Sequence, residues 1–134
     1  MVLQVGVKVL LKNPDGKYLL LKRNPDKYKN VKGNWDIIGG RINPGTALLE
    51  NLFREVKEET SFELTDNPTL IAAQDILTMD ERHIVRLTYT ANIKGEPILS
   101  DESIDYNWFT FEELKNHPDL DFYCKILIEE GKIS

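Results

Sequence analysis

The sequence predicts an α/β fold in which helices cover a mixed β-sheet. The hydrophobic pattern changes period at Ala47, from strand-like runs to a helical stripe. The elements then follow one another as strands, one long helix, further strands and terminal helices, an order that calls for helices packed on a sheet. At 134 residues the chain is read as a single domain, 1–134, long enough to bury a core without metal or disulfide staples.

Val5 to Lys12 is rich in β-branched residues and leucine, and Lys17 to Lys22 repeats that character. Asn13-Pro14-Asp15-Gly16 between them suits a tight turn, so the two runs are expected to form a β-hairpin. The next stretch, Lys22 to Lys32, carries Lys22, Arg23, Lys27, Lys29 and Lys32 and reads as a basic loop. Trp35 to Ile38 returns to strand composition before Gly39-Gly40. From Ala47, Leu48, Leu49, Leu52, Phe53 and Val56 form one helical stripe. Thr46 is the candidate N-cap, and the helix is expected to end near Thr60-Ser61. Leu70 to Leu77 and His83 to Ile93 read as strands joined through Met79 to Arg82. An acidic segment, Ser100 to Asp105, precedes Tyr106-Asn107-Trp108-Phe109; a short helix opens at Phe111 and a last one spans Asp119 to Glu130.

Composition narrows the classes of function. Hydrophobic residues at 41% and charged residues at 29% are those of an ordinary globular chain. Cys124 is the only cysteine, which rules out an intramolecular disulfide and points to a reducing, cytoplasmic setting. The N-terminal run lacks a basic lead and is interrupted by Lys8, so it reads as a strand and not as a signal peptide. No apolar run has the length to span a bilayer. A net charge of -5 argues against broad nucleic-acid binding, but not against a small anionic substrate whose charge a bound metal would offset.

The most informative run is Arg54-Glu55-Val56-Lys57-Glu58-Glu59. On a helix this spacing gathers Glu55, Glu58 and Glu59 on one face, where like charges repel unless neutralised. A hard divalent cation such as Mg²⁺ is the natural counter-charge. A merely solvated acidic face has the same local pattern, so the residues around the run decide between the two.

Those residues resemble the signature of the Nudix hydrolases: Gly, five residues, Glu, seven residues, then Arg-Glu, an aliphatic residue, any residue, Glu-Glu, any residue, Gly and a further aliphatic. Gly40, Arg54, Glu55, Val56, Glu58 and Glu59 match in register, and Phe62 matches as a bulky apolar residue. Thr46 stands for the first glutamate, Ser61 for the final glycine, and Ile38 for the proline that often precedes the paired glycines. The flanking runs around Trp35 and Trp108-Phe109 are also similar to the family.

The resemblance implies a Nudix-type α/β/α sandwich and a Mg²⁺- or Mn²⁺-dependent hydrolase of a nucleoside diphosphate linked to another moiety. The substrate would be a small nucleotide pyrophosphate, and a homodimer is compatible with the family. Glu55, Glu58 and Glu59 would hold metal, with the Gly40 carbonyl completing its shell. Arg54 is expected to fix a ligand glutamate through an ion pair rather than to touch substrate, and Gly39 and Gly40 to let backbone approach phosphate, to form a tight strand-to-helix turn, or both. Glu102, six residues before Trp108, is the candidate general base by analogy with acidic residues in related proteins; Asp101 and Asp105 compete with it. Arg23 and the neighbouring lysines could bind phosphate or simply be solvated. Trp35, Tyr89 and Trp108 could stack on a base, although aromatics near strands more often belong to the core. A lone His83 beside a strand suggests a surface or packing residue, not a catalytic one. The Thr46 and Ser61 departures leave a second reading, a degenerate Nudix domain that binds nucleotide or protein without turnover.

Overall fold

The computed structural model describes residues 1–29, 33–78 and 80–134. Lys32 of the basic stretch and Met79 of the predicted connection lie outside the described residues. The elements are β1 (Val2–Lys12), β2 (Tyr18–Arg23), β3 (Trp35–Asp36), β4 (Ile38–Arg41), α1 (Leu48–Thr60), β5 (Thr69–Ile76), β6 (Arg82–Asn92), β7 (Ser103–Phe109), α2 (Phe111–Lys115) and α3 (Phe122–Glu129). Among the described residues, no helix is long and apolar enough to cross a membrane.

The sheet is mixed, as expected. Its path is β3-β2-β1-β6-β5, with β4 pairing β1 and β7 pairing β2. The long central strand β1 runs parallel to β6 from Val2↔Arg82 to Lys12↔Asn92 and antiparallel to β4. Alternation along β1 and β2 sends residues to opposite faces. Val7, Val9, Leu11, Leu19 and Leu21 meet Leu52 and Val56 of α1 on one side. Leu10, Tyr18 and Leu20 meet Leu114 of α2 and Cys124 and Leu127 of α3 on the other. The result is the α/β/α sandwich, with α1 alone on one face.

Several local expectations are corrected. The predicted turn forms, with Asn13 Oδ1 accepting the amides of Asp15 and Lys17 at 3.1 and 2.9 Å. Its two strands, however, pair at Lys12↔Tyr18 and then part: β1 gives its edges to β4 and β6, while β2 turns to β3 and β7. Lys22 and Arg23 belong to β2 and not to a loop. Trp35 to Ile38 is two short strands split at Ile37, because β3 pairs β2 while β4 pairs β1. The second half of the acidic segment is strand β7. The last helix begins at Phe122, where Asp121 caps it by accepting the amides of Tyr123 and Cys124. On α1, Leu48 and Phe53 stay exposed, and the buried face runs instead through Asn51, Leu52, Val56, Glu59 and Thr60.

Thr46 is not the cap of α1. Ala47 occupies that position without any side-chain cap. The entry is organised from inside the helix by Asn51, which is fully buried. Its amide donates to the carbonyls of Thr46 and Ala47 at 3.0 and 2.8 Å, and its Oδ1 accepts the Asn43 amide at 2.9 Å. Thr46→Ala is therefore expected to change stability by less than about 0.5 kcal/mol, the range for an ordinary surface site. Asn51→Ala, which strands buried donors and acceptors, should cost on the order of 3 kcal/mol. Denaturant unfolding of the two variants checks the order; a costlier Thr46→Ala would return the capping role to threonine.

At the other end, α1 closes as the sequence suggests. Ser61 adopts the left-handed conformation at φ 63°, and its amide donates to the Lys57 carbonyl at 3.0 Å. A residue with a Cβ therefore accepts the geometry that favours glycine, at a cost of about 1 kcal/mol.

Candidate active site

The acidic face of α1 lies over β4, and the approach is close enough to dictate the residue types beneath it. Gly39 has φ 147°, and a Cβ there would stand 1.9 Å from the Val7 carbonyl oxygen. A Cβ on Gly40 would stand 2.8 Å from Glu55 Oε1. Gly40 is thus what lets the strand pass under Glu55, while Gly39 is what lets it lie against the backbone of β1. The Gly39 amide donates to Glu59 Oε2 at 3.0 Å, so the same strand also orients that carboxylate.

The three glutamates are not equivalent. Glu59 is buried, Glu55 keeps only 14% of its side chain exposed, and Glu58 keeps 57%. Arg54 ties the outer two together: its guanidinium lies 3.3 Å from Glu55 Oε1 and 3.3 Å from Glu58 Oε1, and also donates to Asn51 Oδ1 at 3.1 Å. The residue that shapes the helix entry therefore also steadies the arginine.

Across the cleft stands Glu102, in the turn before β7. Its carbonyl accepts the Asn24 amide at 2.9 Å, and it lines the cleft with Lys8, Tyr28, Gly39 and Glu59. Asp101 and Asp105, its competitors in the sequence, do not line it. Asp101 projects outward to Lys27 Nζ at 2.9 Å with 79% of its side chain exposed, and Asp105 accepts the Tyr106 amide.

The electrostatics of the cleft are strongly unbalanced. Burial pushes the Glu59 carboxyl up to about 8; the charges of Glu55 and Glu102 add to the rise, while Lys8 and the Gly39 amide oppose it. Burial likewise raises Glu55, with Glu58 and Glu102 adding and Arg54 opposing. Glu55, Glu59 and Glu102 thus repel one another through the cleft with less positive charge nearby than they require. An all-oxygen donor set with uncompensated negative charge suits a hard divalent cation, so the residues present fit Mg²⁺ or Mn²⁺.

Arg23 does not stand free to take a phosphate, as the sequence allowed. Its guanidinium donates to Asp36, to Asp121 Oδ1 at 2.8 Å and to the Gly33 carbonyl at 2.6 Å. It lines the cleft as part of a buried network that forms the cleft floor. Lys8 Nζ reaches Asp36 Oδ2 at 2.9 Å, and Arg86 donates to Asp121 Oδ2 at 3.0 Å and to Cys124 Sγ at 3.1 Å. This network was not anticipated, although a signal existed: Arg86 interrupts the apolar run Ile84-Val85-Arg86-Leu87, and a charge inside a central strand demands a buried partner. Among the described residues, Asp36, Asp121 and Cys124 are the group of three ligand-type atoms lying mutually within 4.8 Å. They do not fit a metal. Lys8, Arg23 and Arg86 already neutralise the two aspartates, and burial drives the Cys124 thiol far above its ordinary range.

The remaining candidates lie elsewhere. Trp35 packs edge-on against Phe109 with ring centroids 5.7 Å apart, and Tyr89 is buried on the α1 side of the sheet. Trp108 Nε1 donates to Glu96 Oε2 at 2.8 Å. His83 Nε2 lies 2.7 Å from Asp75 Oδ1 on neighbouring strands.

Comparison with known proteins agrees with this geometry. The family model described as the NUDIX domain matches residues 2–127. Nucleoside triphosphatase NudI of Escherichia coli is 32% identical over 113 residues, 77% of this chain and 79% of that protein. The solved structure of the MutT protein from Methanosarcina mazei Go1 has a TM-score of 0.81 at 26% identity, covering 96% of this chain and 91% of the other. MutT NUDIX hydrolase from Burkholderia pseudomallei gives 0.79 at 27%, covering 96% and 98%. The chain belongs to the Nudix hydrolase family and is a hydrolase of nucleoside diphosphate derivatives.

Proposed function

We propose that the chain is a Mg²⁺- or Mn²⁺-dependent pyrophosphohydrolase of small nucleotides, with nucleoside triphosphates as the first substrates to test. The observation that carries the reading is the meeting of Glu59 and Glu102 on one cleft beside Gly39, with Glu55 over Gly40 close enough to raise the Glu59 carboxyl. The cleft between Glu59, Glu102, Tyr28 and Lys8 has a free volume of about 30 Å³, room for a water or an ion and too little for a nucleobase. A cation and the attacking water, not the base, therefore belong against these carboxylates.

Glu55, Glu58 and Glu59 would hold the cation, with the Gly40 carbonyl as a further ligand. Bound there, it would screen the phosphate oxygens and lower the pKa of the attacking water. Glu102 Oε accepts the proton of that water as it attacks phosphorus, and the phosphoanhydride oxygen leaves with the departing phosphate group. Arg54 acts on geometry: it holds Glu55 and Glu58 at a fixed spacing. Gly39 fixes Glu59 through its amide and leaves backbone close to the phosphate path.

The choice of nucleoside triphosphates follows from the relative in Escherichia coli that bears that name. Incubation of the protein with nucleoside triphosphates, nucleotide sugars, ADP-ribose and dinucleoside polyphosphates, each with Mg²⁺ and with Mn²⁺, tests it, with products identified by mass spectrometry. The expected products are a nucleoside monophosphate and the complementary phosphate fragment, formed only with metal. Tight nucleotide binding without products over long incubation would favour a binding module instead.

A further inference from the structure

The sheet does not by itself place Glu102. The β2–β7 ladder reaches its last pair at Arg23↔Ser103, after a shift of register between Lys22 and Arg23. Glu102 is one residue beyond that pair, in the turn. Among the described residues, what holds the turn there comes from Ser100 and from the segment that follows β2. Asn24 donates its main-chain amide to the Glu102 carbonyl at 2.9 Å and its side-chain amide to the Asp101 carbonyl at 2.9 Å. It also folds its own segment: Oδ1 accepts the Asp26 amide at 3.0 Å, and its carbonyl accepts the amides of Lys27 and Tyr28 at 3.0 Å each. That compact turn brings Tyr28 to the cleft, where it and Glu102 share the wall. The Lys27–Asp101 pair joins the same two segments, but both partners are exposed and contribute little.

We propose that Asn24 and Tyr28 are positioning residues for Glu102, Asn24 anchoring the main chain of its turn and Tyr28 flanking its carboxylate. The inference rests on Glu102 being the general base. It gives the segment after β2 a role that its basic composition does not suggest: its part in the reaction is carried by an asparagine and a tyrosine, not by its lysines. Burial, then the charges of Glu102 and Glu59, push the Tyr28 phenol up to about 12. The hydroxyl therefore keeps its proton at working pH and is a donor toward a carboxylate, which a phenylalanine cannot be.

Steady-state kinetics on the full chain, using the panel nucleotide that the wild type turns over fastest with Mg²⁺, tests the proposal. Asn24→Ala and Tyr28→Phe are each expected to lower kcat roughly ten- to a hundred-fold, the effect of misplacing a reacting group by about 1 Å, while KM stays within about twofold. In a Glu102→Gln background both substitutions should lose most of their effect, since changes acting through one group are not additive. Undiminished effects in that background would overturn positioning and leave a general structural role. Tyr28→Phe removes one hydroxyl from a half-exposed ring, so it remains decisive if Asn24→Ala fails to fold. Wild-type rates for both variants beside an impaired Glu102→Gln overturn the positioning alone, whereas a wild-type Glu102→Gln removes the base assignment and this inference with it.

Discussion

Glu59→Gln is expected to cut turnover at least about a hundred-fold while making the metal-free protein more stable at neutral and alkaline pH. The first effect follows from its place in the cleft. Loss of a group that merely orients a metal ligand costs about 10–100-fold, and Glu59 is proposed as a ligand itself. The second follows from linkage. The Glu59 carboxyl is raised from 4.5 to about 8 in the folded protein, so the folded state holds a proton that the unfolded chain releases. That contribution is fully present below about pH 4.5 and is lost as pH rises through about 8. Metal-free stability should therefore decline across that window, and Mg²⁺ should restore it more strongly at pH 8 than at pH 6, because the cation replaces the proton. Glutamine carries no charge to bury and should flatten most of the decline. Glu55, raised in the same direction, leaves a residual slope. Thermal unfolding with EDTA and with Mg²⁺, at several pH values, reads all of this. Wild-type turnover at limiting Mg²⁺, or a metal-free stability that rises with pH in this window, would remove Glu59 from the metal site.

The contrast between Glu59 and Glu58 shows where the sequence stopped being informative. Helical spacing places both on the acidic side of α1, and that much was legible from Arg54 to Glu59 alone. Spacing cannot say how deeply each side chain sinks, because depth depends on β4 passing beneath, and β4 is held there by its pairing with β1, distant in sequence. The same distinction runs through the fold. The period change at Ala47, the turn at Asn13–Gly16 and the helix end at Ser61 are encoded locally and appear where expected. The parting of β1 from β2, the split at Ile37 and the network of Asp36, Arg86 and Asp121 join residues up to 98 positions apart, as in the Arg23–Asp121 bond. Thr46 misled for a related reason. It has the side chain of a cap, but Asn51, inside the helix, already satisfies the entry loop. Arg23 was legible only as a basic residue beside lysines; that it lines the cleft while paired to two buried aspartates depends on contacts distant in sequence.

Glu102→Gln is expected to lower turnover roughly 10²–10⁴-fold, the contribution of a general base, with thermal stability close to wild type. The forecast on stability rests on what the side chain leaves out: the turn is held by the Glu102 carbonyl and by Ser100, neither of which glutamine alters. The forecast on turnover rests on position, since Glu102 lines the cleft with Glu59 while Asp101 pairs outward with Lys27 and Asp105 is exposed on β7. Asp101→Asn and Asp105→Asn are accordingly expected to stay within about threefold of wild type, the scale of an exposed charge removed outside the site. A general base and an additional metal ligand separate by metal titration: raising Mg²⁺ to saturation leaves the Glu102→Gln defect intact if the residue takes a proton, and repairs most of it if the residue only helps hold the cation. If Asp101→Asn or Asp105→Asn abolishes turnover while Glu102→Gln is neutral, the base lies in a different carboxylate of the same turn, and the metal assignment to Glu55, Glu58 and Glu59 is untouched.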